Sequence, residues 1–259
     1  MRLRRLILPL AATAALAGTA AGPAAADHAW ANYHWARTGT TFTLTLGDNV
    51  SSAWDPYLDQ ASTDWSGSSV LDTSKATGTV TNLKRCTPPT GRVEVCNATY
   101  GNNGWLGLAQ IWASGDHITK GAVKVNDSYF NTSSYNKAEW RRMVMCQEVG
   151  HTFGLGHQDE NQTNTNLGTC MDYTSNPLGP PSNVAPNTHD YDQLVSIYAH
   201  VDSTTTVGAA AASPSAAGAG NSRAEWGTAV RYSRDGKPSL FARDLGNGEQ
   251  VFTFVTWAE

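Results

Sequence analysis

No stretch of this 259-residue sequence is long and apolar enough to span a bilayer, which takes about 20 consecutive apolar residues. Basic charge is also in short supply: 18 Lys+Arg face 22 Asp+Glu, a net charge of -4. Three of the arginines, Arg2, Arg4 and Arg5, sit in a leader-like start; without them 15 basic residues face 22 acidic ones, a balance of -7. Nucleic acid and membrane surfaces are therefore not expected partners. No internal repeat occurs. Cysteine is scarce, with four in all: Cys86, Cys96, Cys146 and Cys170.

What is present begins with a secretory pattern. Residues 1–26 combine a basic start, an apolar run and a small-residue end at Ala24-Ala25-Ala26, so the mature chain is expected to begin at Asp27 and to be secreted and extracellular. In an exported chain an even cysteine count favours disulfides. Four cysteines allow three connectivities, and the sequence-local one joins Cys86 to Cys96 and Cys146 to Cys170. Three textures follow the leader. Residues 27–202 are mixed and carry strand and helix patterns; 203–222 are almost all small residues and read as a linker; 223–259 alternate around Asp235-Gly236 and Gly246-Asn247-Gly248. The last piece reads as a small antiparallel β appendage, too short to fold alone, that docks on the main domain or on a partner.

The main region predicts an α+β fold. Residues 40–46 alternate with period two and end at Gly47-Asp48-Asn49. A helix over 51–64 presents Trp54, Leu58 and Ala61, and further strands are expected at 92–96, 107–113 and 122–125. Asn136 and Glu139 suggest a capping box, with Tyr135 and Trp140 as a staple, for a helix ending near Gly154. On it Trp140, Met143, Val144, Gln147 and His151 share one stripe, with Arg141 and Arg142 facing away. A last helix is expected over 189–200.

The chemistry sits at the end of the long helix. Gln147 and His151, four apart, project in parallel; Glu148 lies one step round; Gly154 lets the chain reverse so that His157 returns to the same point. That arrangement suits a metal ion with an open position for water, and a carboxylate placed to take the water's proton. The pattern Gln147-Glu148-x-x-His151-x-x-Gly154-x-x-His157 resembles the metzincin zinc-protease signature, with glutamine in place of the first histidine. Gly168-Thr169-Cys170-Met171-Asp172-Tyr173 resembles the methionine turn of that family, with Met171 as its methionine, and 186–200 its closing helix.

The resemblance implies a metzincin-like zincin: a twisted mixed sheet, an active-site helix, a Met-turn and a C-terminal helix. It implies one catalytic Zn2+ and peptide-bond hydrolysis, with Glu148 as general base. The expected partner is an extended polypeptide, pairing with 107–113 of a chain that acts as a monomer. Three readings of residue 147 stay open. Gln147 ligates zinc with His151 and His157; or Asp159 supplies the third ligand; or the metal is lost and the domain survives as a binding or inhibitory protein. The remaining histidines, His28, His34, His117, His189 and His200, lack ligand spacing and read as surface or satisfied side chains. A structural Ca2+ on Asp127, Asp159, Glu160 and Asp172 has only a weak signal. Asp172 or Asp159 are the expected partners for the outer nitrogen of a ligand imidazole. Nothing in the sequence indicates what would keep such an enzyme latent.

Overall fold

The computed structural model describes residues 27–208 and 219–259; the expected leader, and residues 209–218 of the expected linker, lie outside them. In chain order the strands are β1 (His34–Trp35), β2 (Phe42–Asn49), β3 (Leu71–Thr77), β4 (Val93–Ala98), β5 (Trp105–Ser114), β6 (His117–Asn126), β7 (Thr228–Tyr232), β8 (Pro238–Gly246) and β9 (Glu249–Trp257). The helices are α1 (Asp55–Trp65), α2 (Asp127–Phe130), α3 (Ala138–His151), α4 (Thr188–Ile197) and α5 (Arg223–Trp226). All nine strands join one mixed sheet in the order β3-β2-β4-β6-β5-β9-β8-β7, with β1 added to β6. The β3-β2-β4-β6 half is parallel, and β5 onward is antiparallel.

β5 and β6 form the centre and are buried almost throughout, as a strand covered on both faces must be. α3 lies against them and is itself buried from Met143 to His151. α1 packs on α3 through Leu58, Ala61 and Trp65, and the Trp65 indole donates to the Cys146 carbonyl at 3.0 Å. Cys146 is bonded to Cys170 and Cys86 to Cys96, with Cα separations of 6.0 and 6.1 Å. The first of these bridges ties α3 to the turn that carries Met171, which is fully buried in the same core.

Several local expectations are corrected. α3 starts at Ala138 on Lys137, with no side-chain cap; Asn136 instead accepts from the Arg141 guanidinium at 3.3 Å. Arg141 does not face away. It is buried, with its guanidinium carbon 4.5 Å from the centre of the Trp54 ring and Nη2 donating to the Phe130 carbonyl at 2.9 Å. A planar cation with aromatic faces to stack on and a carbonyl to bond can be buried where an ammonium would not. β2 runs through Gly47-Asp48-Asn49 because β3 and β4 pair with it there on both sides. β3 itself has little apolar pattern, only Leu71 and Thr73 being buried, and was not expected. The helix expected over 189–200 is α4, which starts at Thr188 on a capping box of Asn187 and Asp190 and ends at Ile197.

A candidate metal centre and the strand that covers it

α3 ends at His151, and the chain turns at Gly154, whose φ of +98° only glycine adopts without strain. A Cβ there would also lie 2.5 Å from the Tyr33 carbonyl oxygen. The turn brings His157 back against His151: the rings meet edge to face at 4.5 Å, and the two Nε2 atoms are 2.9 Å apart. Each outer nitrogen has an acceptor. His151 Nδ1 donates to the Leu155 carbonyl at 2.8 Å, and His157 Nδ1 donates to Glu160 Oε1 at 2.8 Å. With each Nδ1 turned to an outer acceptor, the two Nε2 atoms face one another at hydrogen-bond distance and can share a proton or a cation. Burial, and then the neighbouring His157, push the His151 imidazole well below its usual range, which favours its neutral, metal-ligating form. The two residues therefore fit a soft or borderline metal ion.

Glu148 is fully buried on the same helix, and its Oε2 has no partner. Burial pushes its carboxyl up to about 8, against two hydrogen bonds from Thr256 that favour the charged form. β5 comes close enough to touch it because residue 107 is glycine; a Cβ there would sit 2.5 Å from Glu148 Oε1. Thr256 Oγ1 lies 2.6 Å from Glu148 Oε1 and 2.5 Å from Gln147 Oε1. The Thr256 hydroxyl is thus shared between the Gln147 and Glu148 side chains.

The strand carrying Thr256 is β9, and it lies where an extended substrate was expected, antiparallel on β5. The register places Gly107 opposite Thr256, Leu108 opposite Val255 and Ala109 opposite Phe254. The Phe254 ring stacks on His151 at 4.1 Å and 12°. The Tyr173 hydroxyl donates to the Val255 carbonyl at 3.0 Å, and Ser239 of β8 donates to Glu160. These contacts hold the C-terminal strands across the whole site.

Of the residues read from the sequence, His151 meets His157, Gln147 and Glu148 meet at Thr256, and Met171 lies in the same hydrophobic core as α3. Asp159 is not. Its carboxylate bonds to the Asn161 amide at 3.0 Å and to the Asn164 side chain, and it joins His151 and His157 in no ligand group. An Asx-type turn after His157 aims it elsewhere. The outer nitrogen of His157 goes to Glu160, not to Asp172 or Asp159, and that His-x-x-Glu spacing was the available signal. Burial would raise Glu160, yet the bond from His157 holds it below the usual range. Asp172 instead accepts from the Leu167 amide and Asn183, and burial raises it to about 6. Among the described residues, Asp127, Asp159, Glu160 and Asp172 form no calcium-like group. Thr256 and Phe254 carried no signal, since strand periodicity does not reveal what a strand covers.

No family model matches the chain, and a search of curated proteins found no match. Among solved structures it is similar to High choriolytic enzyme 1, a hatching-enzyme zinc-protease from the medaka fish Oryzias latipes. That similarity has 10% identity and a TM-score of 0.37, and covers 64% of this chain and 94% of the other. The architecture itself is mixed α+β, built on a mixed sheet with few helices.

Proposed function

We propose that the chain is a secreted, zinc-dependent endopeptidase for extended polypeptides, held closed by its own C-terminal strand. The observation that carries this reading is the buried pair of imidazoles, each with Nδ1 committed as a donor and Nε2 facing the other at 2.9 Å. His151 and His157 would hold the ion, and the amide oxygen of Gln147 is the third donor once Thr256 leaves it. Bound there, zinc supplies Lewis acidity, lowering the pKa of water and polarising a carbonyl. Glu148 takes a proton at its unpartnered oxygen and returns it to the leaving amine. The main-chain edge of β5 binds substrate as an added antiparallel strand, the mode β9 now uses. While β9 is docked, Thr256 occupies both Gln147 and Glu148, and Phe254 covers His151, so the groove has no room for a substrate.

Zinc-loaded protein beginning at Asp27 is expected to cleave an unstructured substrate such as casein slowly. Opening β9 should raise the rate, and Glu148→Ala should abolish it. The rival reading, a metal-poor binding or inhibitory protein, draws on the same docked strand, since β9 sits inside a continuous sheet with β8 and β7 beyond it. The two part at one result: an opened variant that takes up zinc yet turns over no faster than its Glu148→Ala counterpart would sink the peptidase reading.

A further inference from the structure

The histidines that the sequence suggested were surface or satisfied side chains include three that converge. In the β1–β6 pairing His34 is directly opposite His117, and the segment leaving α4 brings His200 and Asp202 to them. Asp202 Oδ1 lies 3.4 Å from His34 Nε2, 3.3 Å from His117 Nε2 and 3.7 Å from His200 Nε2; His200 Nε2 is 3.1 Å from His34 Nε2. The edge of a tetrahedron around an ion with bonds of about 2.0–2.1 Å is about 3.3 Å. The four separations bracket that value.

The orientation of His34 points the same way. Its Nδ1 is held by the Asn32 carbonyl at 2.6 Å, which fixes the ring and aims Nε2 at the Asp202 carboxylate and at the His200 Nε2. Asp202 is anchored from outside the cluster, its other oxygen accepting the Arg37 amide at 3.0 Å. Held imidazole and held carboxylate are the features that preorganise a metal ligand set. His200 and His117 face solvent, and a cavity of about 360 Å³ opens beside His34 and His200, giving an ion a way in.

We propose that His34, His117 and Asp202, with His200 beside them, form a second metal site, separate from the His151–His157 centre, that takes a zinc-type divalent ion. Imidazoles and a carboxylate are borderline donors, suited to zinc and its transition-metal neighbours rather than to calcium or magnesium. Three protein ligands hold the ion, and His200 Nε2, 3.1 Å from His34 Nε2, is the nearest further donor. Its ion adds a clasp to three segments that hydrogen bonds already bring together: the two-residue strand β1, the tight turn between β5 and β6, and the chain after α4. The neighbouring Trp35 indole donates to the Thr152 carbonyl at 2.8 Å, at the C-terminal end of α3. The clasp therefore supports the floor under His151 without taking part in its chemistry.

The test compares zinc uptake, by competition with a chromophoric chelator and by elemental analysis, between the chain from Asp27 and its His117→Asn/His200→Asn variant. Both side chains are partly solvent-exposed, so the packing is spared, and an unchanged circular dichroism spectrum checks it. The variant is expected to bind one equivalent fewer, and to lose zinc-dependent protection against heat. Only the difference decides: a fall from two equivalents to one, or from one to none, supports the clasp. Equal uptake, including none by either protein, overturns it and leaves a metal-free hydrogen-bonded cluster around Asp202. In a His151→Asn/His157→Asn background the clasp equivalent is expected to remain, so its fate is read independently of the peptidase reading.

Discussion

Truncating Phe254 to alanine is the most direct way to ask whether β9 is a removable lid. The ring is fully buried, stacked on His151 at 4.1 Å and lying 5.4 Å from Trp30. Phe→Ala in a packed core costs about 3–5 kcal/mol through lost transfer energy and the cavity left behind. The core beneath keeps both disulfides and its own strands β1 to β6, so the cheapest relief is release of β9. If so, the cost appears in the docking equilibrium, which at about 1.4 kcal/mol per tenfold moves by roughly two to three and a half orders of magnitude towards the open form. Hydrogen exchange reads this at the β5 amides that β9 protects, and a quenched unstructured peptide reads turnover with zinc present. Expected are faster exchange in β5 and β9 but not in β4 and β6, and a rise in Glu148-dependent cleavage. If β5 stays as protected as in the wild type, or if the whole sheet loosens together, β9 is an integral strand and the reasoning fails.

Lys124 gives the same docking a pH dependence. Its Nζ donates to Asn221 Oδ1 at 2.8 Å and to the Gly220 carbonyl at 3.3 Å, tying β6 to the C-terminal segment. Burial pushes it down to about 7, with Glu225 pulling weakly upward, against about 10.4 when released. Between those values the released form binds a proton that the docked form lacks. Docking should therefore tighten as pH rises from about 7 towards 9.5, and this group should add no slope below 7. Urea midpoints across that range check it, and Lys124→Met should flatten the slope; a fall with rising pH is the contrary result. Replacing Cys146 and Cys170 by alanine opens a loop with a sequence separation of 24, which the chain-entropy model values at about 3–4 kcal/mol. A calorimetric Tm unchanged by that replacement would contradict it. Gly154→Ala forces a side chain into φ +98° and towards the Tyr33 carbonyl, and should cost at least about 1–3 kcal/mol in denaturant melts. Gln147→His should raise zinc affinity measured by chelator competition; indifference would place residue 147 outside the ligand set.

The site was legible where a local rule links spacing to direction. Four residues on a helix make one turn, and a glycine in the left-handed region reverses a chain, so Gln147, His151, Gly154 and His157 could be placed in relation to one another from their numbers alone. The central strands were legible as apolar runs, with ends displaced by a few residues. β3 was not, because LDTSKAT buries only alternate positions at its start and owes its pairing to β2. Arg141 was misplaced because helical periodicity treats every charge as a solvent-seeking group, whereas a guanidinium can be solvated by rings and a carbonyl. The cluster of His34, His117, His200 and Asp202 was invisible for a deeper reason: its members are separated by up to 168 residues, and only a parallel strand pairing and the path beyond α4 unite them.

The largest omission, β9 in the groove, is also the one that changes how Gln147 is understood. Read alone, the glutamine is a weakened ligand, since an amide oxygen holds zinc less firmly than an imidazole. Beside Thr256 it has a second use, because the amide oxygen accepts from the threonine hydroxyl, which also reaches Glu148 Oε1. An ion that needs the Gln147 oxygen must compete with β9 for it. Whatever binds only the open form shifts opening by no more than its own binding free energy. With a strong third ligand that shift is large and the strand is displaced whenever zinc is present; with an amide it is smaller, and the strand can hold. If residue 147 ligates the ion, the glutamine and the strand are two halves of one equilibrium, and the Gln147→His variant moves both.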